Sequence, residues 1–219
     1  MTILTGHYGS GKTSIAVNLA LCLAACGKRV TICDLDIVNP YFRTADHRAR
    51  LEKGGVGLIS SQFAGSNVDL PALPAELYAA IEDRSAYAVL DVGGDDRGAV
   101  ALGRYAPSIL AENDYDMLFV ANFFRPLTKT PEAALAVLRE IEAACGVPCT
   151  GLINNSNLGR ATAARDLLDT AARMETLSKL AGLPVRATAA DGRLCDELAG
   201  KIENLFCMAL TGTEPIKEG

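Results

Sequence analysis

Residues 6–13 read Gly-His-Tyr-Gly-Ser-Gly-Lys-Thr, and no other stretch constrains the fold of this chain as much. They fit the pattern G-x-x-x-x-G-K-[ST], which is typical of a loop that wraps phosphate groups. Glycines let such a loop curl so that backbone N–H groups point at an anion, and the helix predicted from Lys12 adds the positive end of its dipole. We expect the Lys12 ammonium to reach the β- and γ-phosphates of a nucleotide, and the Thr13 hydroxyl to ligate Mg²⁺.

The neighbours of this loop distinguish it from an ordinary glycine-rich turn. An apolar strand, Thr2–Thr5, precedes it and a helix, Lys12–Cys26, follows it, which is the order that a phosphate-binding loop requires. We therefore predict a nucleoside triphosphate site with Lys12 as its central residue. Its predicted phosphate contacts are Gly6, His7, Gly9, Ser10, Gly11, Lys12, Thr13 and Ser14.

Strand-like and helical runs alternate along the rest of the chain. Most strand-like runs are short and apolar on both faces, the pattern of a sheet that is covered on both sides. Alternation of this kind implies right-handed crossovers, so we predict an α/β fold with a doubly wound, mostly parallel sheet and helices on both faces. With 219 residues, 49% of them apolar, the chain fits one such domain over residues 1–219.

The boundaries of these elements follow from the apolar patterns. The predicted strands are Thr2–Thr5, Arg29–Cys33, Val56–Ser60, Tyr87–Asp91, Met117–Ala121, Thr150–Asn154 and Val185–Thr188. The predicted helices are Lys12–Cys26, Tyr41–Lys53, Leu73–Asp83, Arg97–Glu112, Pro131–Cys145, Arg160–Leu180 and Arg193–Leu210. In such folds ligands bind at the carboxyl ends of the strands, and the remaining candidate residues all fall there.

Acidic residues end two of the predicted strands. Asp34-Leu-Asp36 gives two carboxylates on one side of an extended chain, which could hold Mg²⁺ or orient an attacking water. Asp91 ends an apolar strand and is followed by Val-Gly-Gly94, so Asp91 is expected to bind Mg²⁺ through a water and Gly94 to sense the γ-phosphate by its N–H. A turn or cap is the alternative for the first pair. The predicted metal ligands are Thr13, Asp36 and Asp91.

Polar residues follow two later strands. Asn154 ends a predicted strand, and its amide offers the donor and the acceptor that suit the edge of a purine base. An asparagine-rich turn is the alternative. Arg125 also follows a strand end, and the sequence leaves open whether it faces the nucleotide or lies in a surface loop.

Charge and cysteine content narrow the function classes. The net charge of −5 argues against a broad nucleic-acid surface, which needs clustered Lys and Arg. The longest helical apolar stretch, Ile15–Cys26, is too short to span a bilayer, so we expect no membrane partner and a cytoplasmic location. There are seven cysteines and no C-x-x-C, which favours buried free thiols over disulfides or a metal site.

Four stretches together resemble the MinD/ParA group of P-loop ATPases, in the CobQ/CobB/MinD/ParA superfamily. They are Gly11–Ala20 as the phosphate-loop helix, Gly27–Asp36 as the second strand and first switch, Asp91–Gly94 as the second switch, and Gly151–Asn154 as the base-recognition strand. The resemblance implies ATP with Mg²⁺ as cofactors, Lys12 and Asp36 as catalytic residues and Asn154 as the adenine contact. It spans most of the chain.

His7 marks a departure from the group. Many members carry a second lysine at this position, which reaches across an ATP-bridged dimer to the phosphates of the partner. An imidazole donates one hydrogen bond when neutral and carries a charge when protonated, so His7 leaves such a dimer possible and less secure. The chain also resembles a small subgroup of ParA-like proteins that have this histidine.

These observations support three functions. The first is a slow ATP hydrolase whose exchange between ATP and ADP switches conformation, homodimerisation and the docking of a protein partner. The second is an ATP-dependent small-molecule kinase or ligase of the dethiobiotin-synthetase type, and the polar stretch Ser60–Asp69 is its possible acceptor pocket. The third is a metal-delivery ATPase or scaffold, supported only by the cysteine count. Turnover stimulated by an acceptor would separate the second from the first.

Overall fold

The computed structural model describes residues 1–35, 47–60, 75–94 and 96–209. Strands and helices alternate through these ranges. The strands are β1 (Thr2–Thr5), β2 (Val30–Leu35), β3 (Gly57–Ser60), β4 (Tyr87–Val92), β5 (Asp116–Ala121), β6 (Gly151–Asn154), β7 (Val185–Asp191) and β8 (Leu205–Met208). The helices are α1 (Lys12–Ala25), α2 (Arg48–Lys53), α3 (Ala75–Glu82), α4 (Asp96–Gly103), α5 (Ala106–Glu112), α6 (Pro131–Cys145), α7 (Ala164–Ala181) and α8 (Cys195–Leu198).

The strands form one parallel sheet in the order β3-β2-β4-β1-β5-β6-β7-β8. This confirms the predicted doubly wound α/β fold, since the chain leaves β1 toward one edge and returns past it to reach the other. β1 lies between β4 and β5, with Thr2 opposite both Val89 and Asp116. The loop that follows β1 therefore starts from the middle of the sheet, where the strand order reverses and ligands of such folds bind.

Alternate residues of the central strands enter two apolar layers on opposite faces of the sheet. Leu4 and Val89 pack with Ile15 and Val17 of α1 on one face. Ile3 and its neighbours pack on the other face, against α3 to α7. Because both faces are covered, the strands carry nearly continuous apolar runs, as the sequence indicated.

One predicted helix, Arg97–Glu112, is divided into α4 and α5. Gly103 ends α4. A Cβ at this position would lie 3.3 Å from the Cys145 carbonyl oxygen of α6, so the backbone passes close to that helix. Pro107 lies in the first turn of α5, where its missing N–H costs nothing, whereas inside one long helix it would break a hydrogen bond.

The predicted helix Arg193–Leu210 is wrong over most of its length. Only the short α8 forms, and Leu205–Met208 becomes β8, which pairs in parallel with β7 from Thr188–Leu205 to Asp191–Met208. The sheet edge at β7 offers unpaired backbone groups, and pairing with them outweighs the helical spacing of the apolar residues.

A disulfide joins Cys195 at the start of α8 to Cys207 in β8, which corrects the expectation that the chain has only free thiols. The two Cα atoms lie 6.1 Å apart, within the range that a disulfide spans. The eleven residues between them gave no sign of this pairing, because it depends on β8 adding to the sheet. The remaining cysteines are free: Cys22, Cys26, Cys33, Cys145 and Cys149.

Candidate nucleotide site

The phosphate-loop motif connects β1 to α1 at the carboxyl edge of the sheet. A Cβ at Gly6 would lie 2.5 Å from the Val120 carbonyl oxygen, and a Cβ at Gly11 would collide with the side-chain nitrogen of Asn155. Gly11 also has φ 89° and is the N-cap of α1, a left-handed conformation that other residues rarely adopt. Both glycines are therefore required where the loop packs against the ends of β5 and β6.

Internal hydrogen bonds close the loop around the His7 carbonyl. Its oxygen accepts from Ser10 N at 3.1 Å and from Lys12 Nζ at 3.3 Å. Lys12 is only 5% exposed, so its ammonium lies inside the curl of the loop and not on the surface. The loop thus has the curled form that a phosphate-binding turn requires, with a buried cation at the first turn of α1.

Two carboxylates lie side by side at the ends of neighbouring strands. Asp34 of β2 and Asp91 of β4 are register partners, and both are buried. Asp91 is also opposite Leu4, whose side chain packs with α1, so both carboxylates lie on the face of the sheet that α1 covers. Thr13, in the first turn of α1, is likewise buried. Asp36, predicted as catalytic and as a metal ligand, lies outside the described residues.

The Cys33 thiol lies next to Asp34 in the chain, but it is not an ionised group of the site. Burial raises the pKa of Cys33 to about 12, and the negative charge of Asp34 adds to the shift. The thiol therefore stays protonated at neutral pH. It also lies on the opposite face of the sheet, packed in the layer with Leu35 and Leu90.

Gly94 lies directly against the phosphate loop. A Cβ at this position would lie 2.5 Å from Tyr8 N and 2.8 Å from Lys12 Nζ. Only glycine fits there without displacing the loop. The segment after β4 therefore passes within contact distance of the residue expected to bind the terminal phosphates, which is where a γ-phosphate sensor would have to lie.

The two asparagines at the end of β6 have different surroundings. The Asn154 amide donates to Thr170 Oγ1 at 3.2 Å, and its oxygen accepts from the Ser156 N–H and hydroxyl. Asn154 is 1% exposed and faces α7, so these contacts argue against the predicted base contact. Asn155 instead donates to the Ser10 carbonyl oxygen at 2.6 Å. It is the residue that joins this strand end to the phosphate loop.

A small cavity opens beside Asn155 at the ends of β6, β7 and β8. Asn157 lines it and is held in place by hydrogen bonds to Asn155 and from Gly159 N. The carboxylate in its lining, Asp191, accepts from Arg193 Nε at 2.8 Å. The cavity's volume of about 10 Å³ holds about one water molecule, so it is too small for a nucleotide base, although Asn155 contacts the phosphate loop on its other side. Its further lining residues are Thr162, Leu167, Ala189, Ala190 and Met208.

Arg125 is exposed, as in a surface loop, and it also contacts the phosphate loop, so the structure combines the two alternatives that the sequence left open. Its Nε donates to the Gly9 carbonyl oxygen at 2.9 Å. Arg125 and Asn155 are the residues that sequence reasoning underrated. The available signal was their position, since Arg125 follows β5, the neighbour of β1, and Asn155 follows β6, the strand beyond β5.

The residues that the structure describes contain neither a membrane-spanning helix nor a cluster of metal ligands. None of the helices in this part of the chain is long and apolar enough to cross a membrane. Within the same ranges, no group of three or more His, Cys, Asp or Glu side chains is placed to hold a metal ion.

Comparison with known proteins gives a family and a fold. Residues 1–168 match the family described as CbiA, the CobQ/CobB/MinD/ParA nucleotide binding domain. Over 97 residues the chain is 35% identical to the cytosolic Fe-S cluster assembly factor cfd1 of Emericella nidulans. The aligned part is 43% of this chain and 26% of that protein.

Among solved structures, cell division protein FtsY from Thermotoga maritima matches with a TM-score of 0.62 at 19% identity, over 87% of this chain and 61% of that one. The signal recognition particle 54 kDa protein from Aeropyrum pernix, in complex with GDP, matches with a TM-score of 0.54 at 16% identity, over 85% and 40%. At such identities the likeness shows the P-loop fold alone. The chain spans less than two thirds of each of these proteins.

Proposed function

The chain belongs to the CobQ/CobB/MinD/ParA nucleotide-binding family, and from that premise we propose that it binds ATP with Mg²⁺ and hydrolyses it slowly as a switch. In this proposal ATP orders the segments beside the phosphate loop and promotes homodimerisation and the docking of a protein partner. Hydrolysis to ADP reverses both. The observation that carries the proposal is the contact of Gly94 with Tyr8 and Lys12, which couples the end of β4 to the phosphate loop.

The residues at this edge suit the two cofactors. The curled loop and the buried Lys12 ammonium offer backbone N–H groups and a positive charge to a polyphosphate. Thr13 and Asp91 would hold Mg²⁺, with Asp34 beside them, because hydroxyl and carboxylate oxygens are the protein ligands that this ion prefers. When bound, Mg²⁺ would neutralise part of the phosphate charge.

In this proposal, separate groups of the protein have separate roles in hydrolysis. Lys12 holds the β- and γ-phosphates, and the Gly94 N–H reports whether the γ-phosphate is present. We assign to Asp36 the orientation of the attacking water, so Asp36→Ala should bind ATP and lose turnover. We assign to Asn155 the support of the phosphate loop, through its hydrogen bond to the Ser10 carbonyl oxygen, in place of the base contact predicted for Asn154.

We propose the homodimer and the protein partner because the chain belongs to this family. In the dimer, His7 would face the phosphates of the second copy, where a protonated imidazole supplies the charge that lysine supplies in other members. The relative named as a cytosolic Fe-S cluster assembly factor supports a cytoplasmic protein that acts on another protein.

The test is the solution mass, measured by light scattering with Mg²⁺ and either ADP or a slowly hydrolysed ATP analogue. We expect a dimer with the analogue and a monomer with ADP. Lys12→Ala is the matched control, and it should stay monomeric in both and fail to bind triphosphate in a titration, since it removes the cation inside the loop.

Equal masses with the two nucleotides would contradict the switch and favour the alternative, an ATP-dependent small-molecule kinase or ligase. A screen for acceptors that raise ADP release would then follow. Unchanged triphosphate affinity in Lys12→Ala would remove the nucleotide site itself from the loop.

A further inference from the structure

Arg125 contacts the phosphate loop from outside the motif. We propose that it is a positioning residue, whose Nε–H fixes the Gly9 carbonyl and thereby the geometry of the phosphate-binding turn. The inference rests on the proposed nucleotide binding, and it concerns a residue to which the phosphate-loop pattern gives no role.

The fold delivers Arg125 to this place on a braced loop. It follows β5, the neighbour of β1, and the Asn122 carbonyl oxygen accepts from Arg125 N at 3.1 Å and from Thr128 Oγ1 at 2.6 Å. The Asn122 side chain accepts from Phe124 N at 3.0 Å. Phe123, between them, is 1% exposed and anchors the loop in the core. The backbone of Arg125 is therefore fixed before its side chain reaches Gly9.

The hydrogen bond from Arg125 fixes the orientation of the peptide between Gly9 and Ser10. Arg125 Nε donates to the Gly9 oxygen at 2.9 Å, and a Cβ at Gly9 would lie 3.3 Å from Nε and 3.4 Å from Cζ. Gly9 has φ 73°, a left-handed conformation. Because a trans peptide is planar, holding the Gly9 carbonyl outward turns the Ser10 N–H to the other side, where it donates to His7 O at 3.1 Å.

The next peptide is held in the same way. Asn155 donates to the Ser10 carbonyl oxygen at 2.6 Å, which turns the Gly11 N–H away from Asn155 and toward the concave side of the loop. Two successive carbonyls are thus held outward by side chains from the ends of β5 and β6. This fixes the turn before any anion is bound, so a phosphate need not order it.

The chemistry of the contact gives a sharp test. The donor is Nε, which is separated from Cα by the same number of bonds as the amide nitrogen of glutamine. Gln at position 125 therefore keeps a donor at this point and removes the charge, whereas Lys keeps the charge and moves its donor one bond further from Cα. No carboxylate in the described part of the chain forms an ion pair with Arg125, so neither variant strands an acidic partner.

The experiment compares Arg125→Ala, Arg125→Lys and Arg125→Gln by calorimetric titration with Mg-ADP and with a slowly hydrolysed ATP analogue. We expect the Ala and Lys variants to lose about five- to tenfold in affinity, by the same factor for both nucleotides, as one hydrogen bond predicts. The Gln variant should stay within about twofold of the wild type. Arg165→Ala, which removes an exposed charge on α7, is the control and should change nothing.

A second readout needs no nucleotide. Hydrogen exchange of the Ser10 amide, which donates to His7 O, should accelerate in the Ala and Lys variants of the free protein and not in the Gln variant, because the loop opens more often. This pattern would uphold the positioning role even if the wild type bound no nucleotide, which would end only the proposed function.

Two results would overturn the inference. One is a Lys variant that binds like the wild type beside a weakened Gln variant, since charge would then be what matters. The other is a larger loss for the ATP analogue than for ADP, which would make Arg125 a direct γ-phosphate contact. Thermal midpoints of all variants establish that they are folded.

Discussion

Two adjacent asparagines at the end of β6 donate hydrogen bonds to different parts of the protein. Asn155 supports the phosphate loop through Ser10, and Asn154 ties the strand end to Thr170 of α7. We predict that Asn155→Ala weakens ATP binding about tenfold, since one buried hydrogen bond to the loop is lost. Asn154→Ala should instead lower stability, by about 1–3 kcal/mol, because it leaves buried partners unsatisfied.

The measurements are a nucleotide titration and urea unfolding of both variants. Because the two substitutions are chemically identical and one residue apart, each serves as the control for the other. A larger loss of ATP affinity in Asn154→Ala than in Asn155→Ala would restore the original prediction that Asn154 contacts the base.

At the same scale, the sequence allowed prediction of those site residues that belong to a linear pattern. The glycines, Lys12 and Thr13 are recognisable because the loop is continuous in the chain, and Gly94 because it follows an acidic strand end. Arg125 and the choice between Asn154 and Asn155 depend on contacts between separate loops. A single sequence carries no record of such contacts, so these roles could be assigned only from the structure.

Among the elements, the central ones were predictable because local pattern and packing agree. The structure gives β1 and α6 with the predicted bounds, and α6 has a Thr130 cap and a proline at its start. The edge strand β8 was missed because its four residues show no alternation and take their conformation from β7. Strands of this kind are specified by their partner more than by their own sequence.

The disulfide gives β8 a second attachment. Cys195 and Cys207 close a loop with a sequence separation of 12, and cross-linking a loop of this size removes entropy from the unfolded chain. We predict that Cys195→Ser lowers the free energy of unfolding by about 3 kcal/mol. Denaturant unfolding of the oxidised proteins measures this.

Reduction supplies the internal control for that prediction. A dithiol should lower the stability of the wild type to that of the variant and leave the variant unchanged. Equal stability of the wild type with and without the reductant would mean that the bond does not support the fold. Burial raises the pKa of Cys149 and of Cys33, so these thiols stay protonated and do not attack the disulfide during the measurement.

For the whole molecule, nucleotide binding should appear as added stability. A ligand at about a hundred times its dissociation constant stabilises the folded state by about 2.7 kcal/mol. We predict that ATP with Mg²⁺ raises the melting temperature more than GTP does at equal concentration. The reason is the resemblance of the phosphate-loop, switch and base-recognition stretches to the P-loop ATPases of the MinD/ParA group.

The comparison matters because a structural neighbour of this chain was solved with GDP. Differential scanning fluorimetry at matched Mg²⁺ separates the two nucleotides, with inorganic triphosphate as the reference for phosphate binding alone. A larger shift with GTP would reverse the proposed base preference and leave the phosphate site unaffected.

The central place of β1 in the sheet has a consequence for the order in which a ribosome exposes the molecule. The neighbours of β1 are β4 and β5, and Thr5 pairs with Phe119. The strand that leads into the phosphate loop is therefore translated before both of its neighbours, and it lacks β5 as a partner until Phe119 has been made. A nascent chain that stalls before Phe119 would contain the complete phosphate motif and no phosphate site.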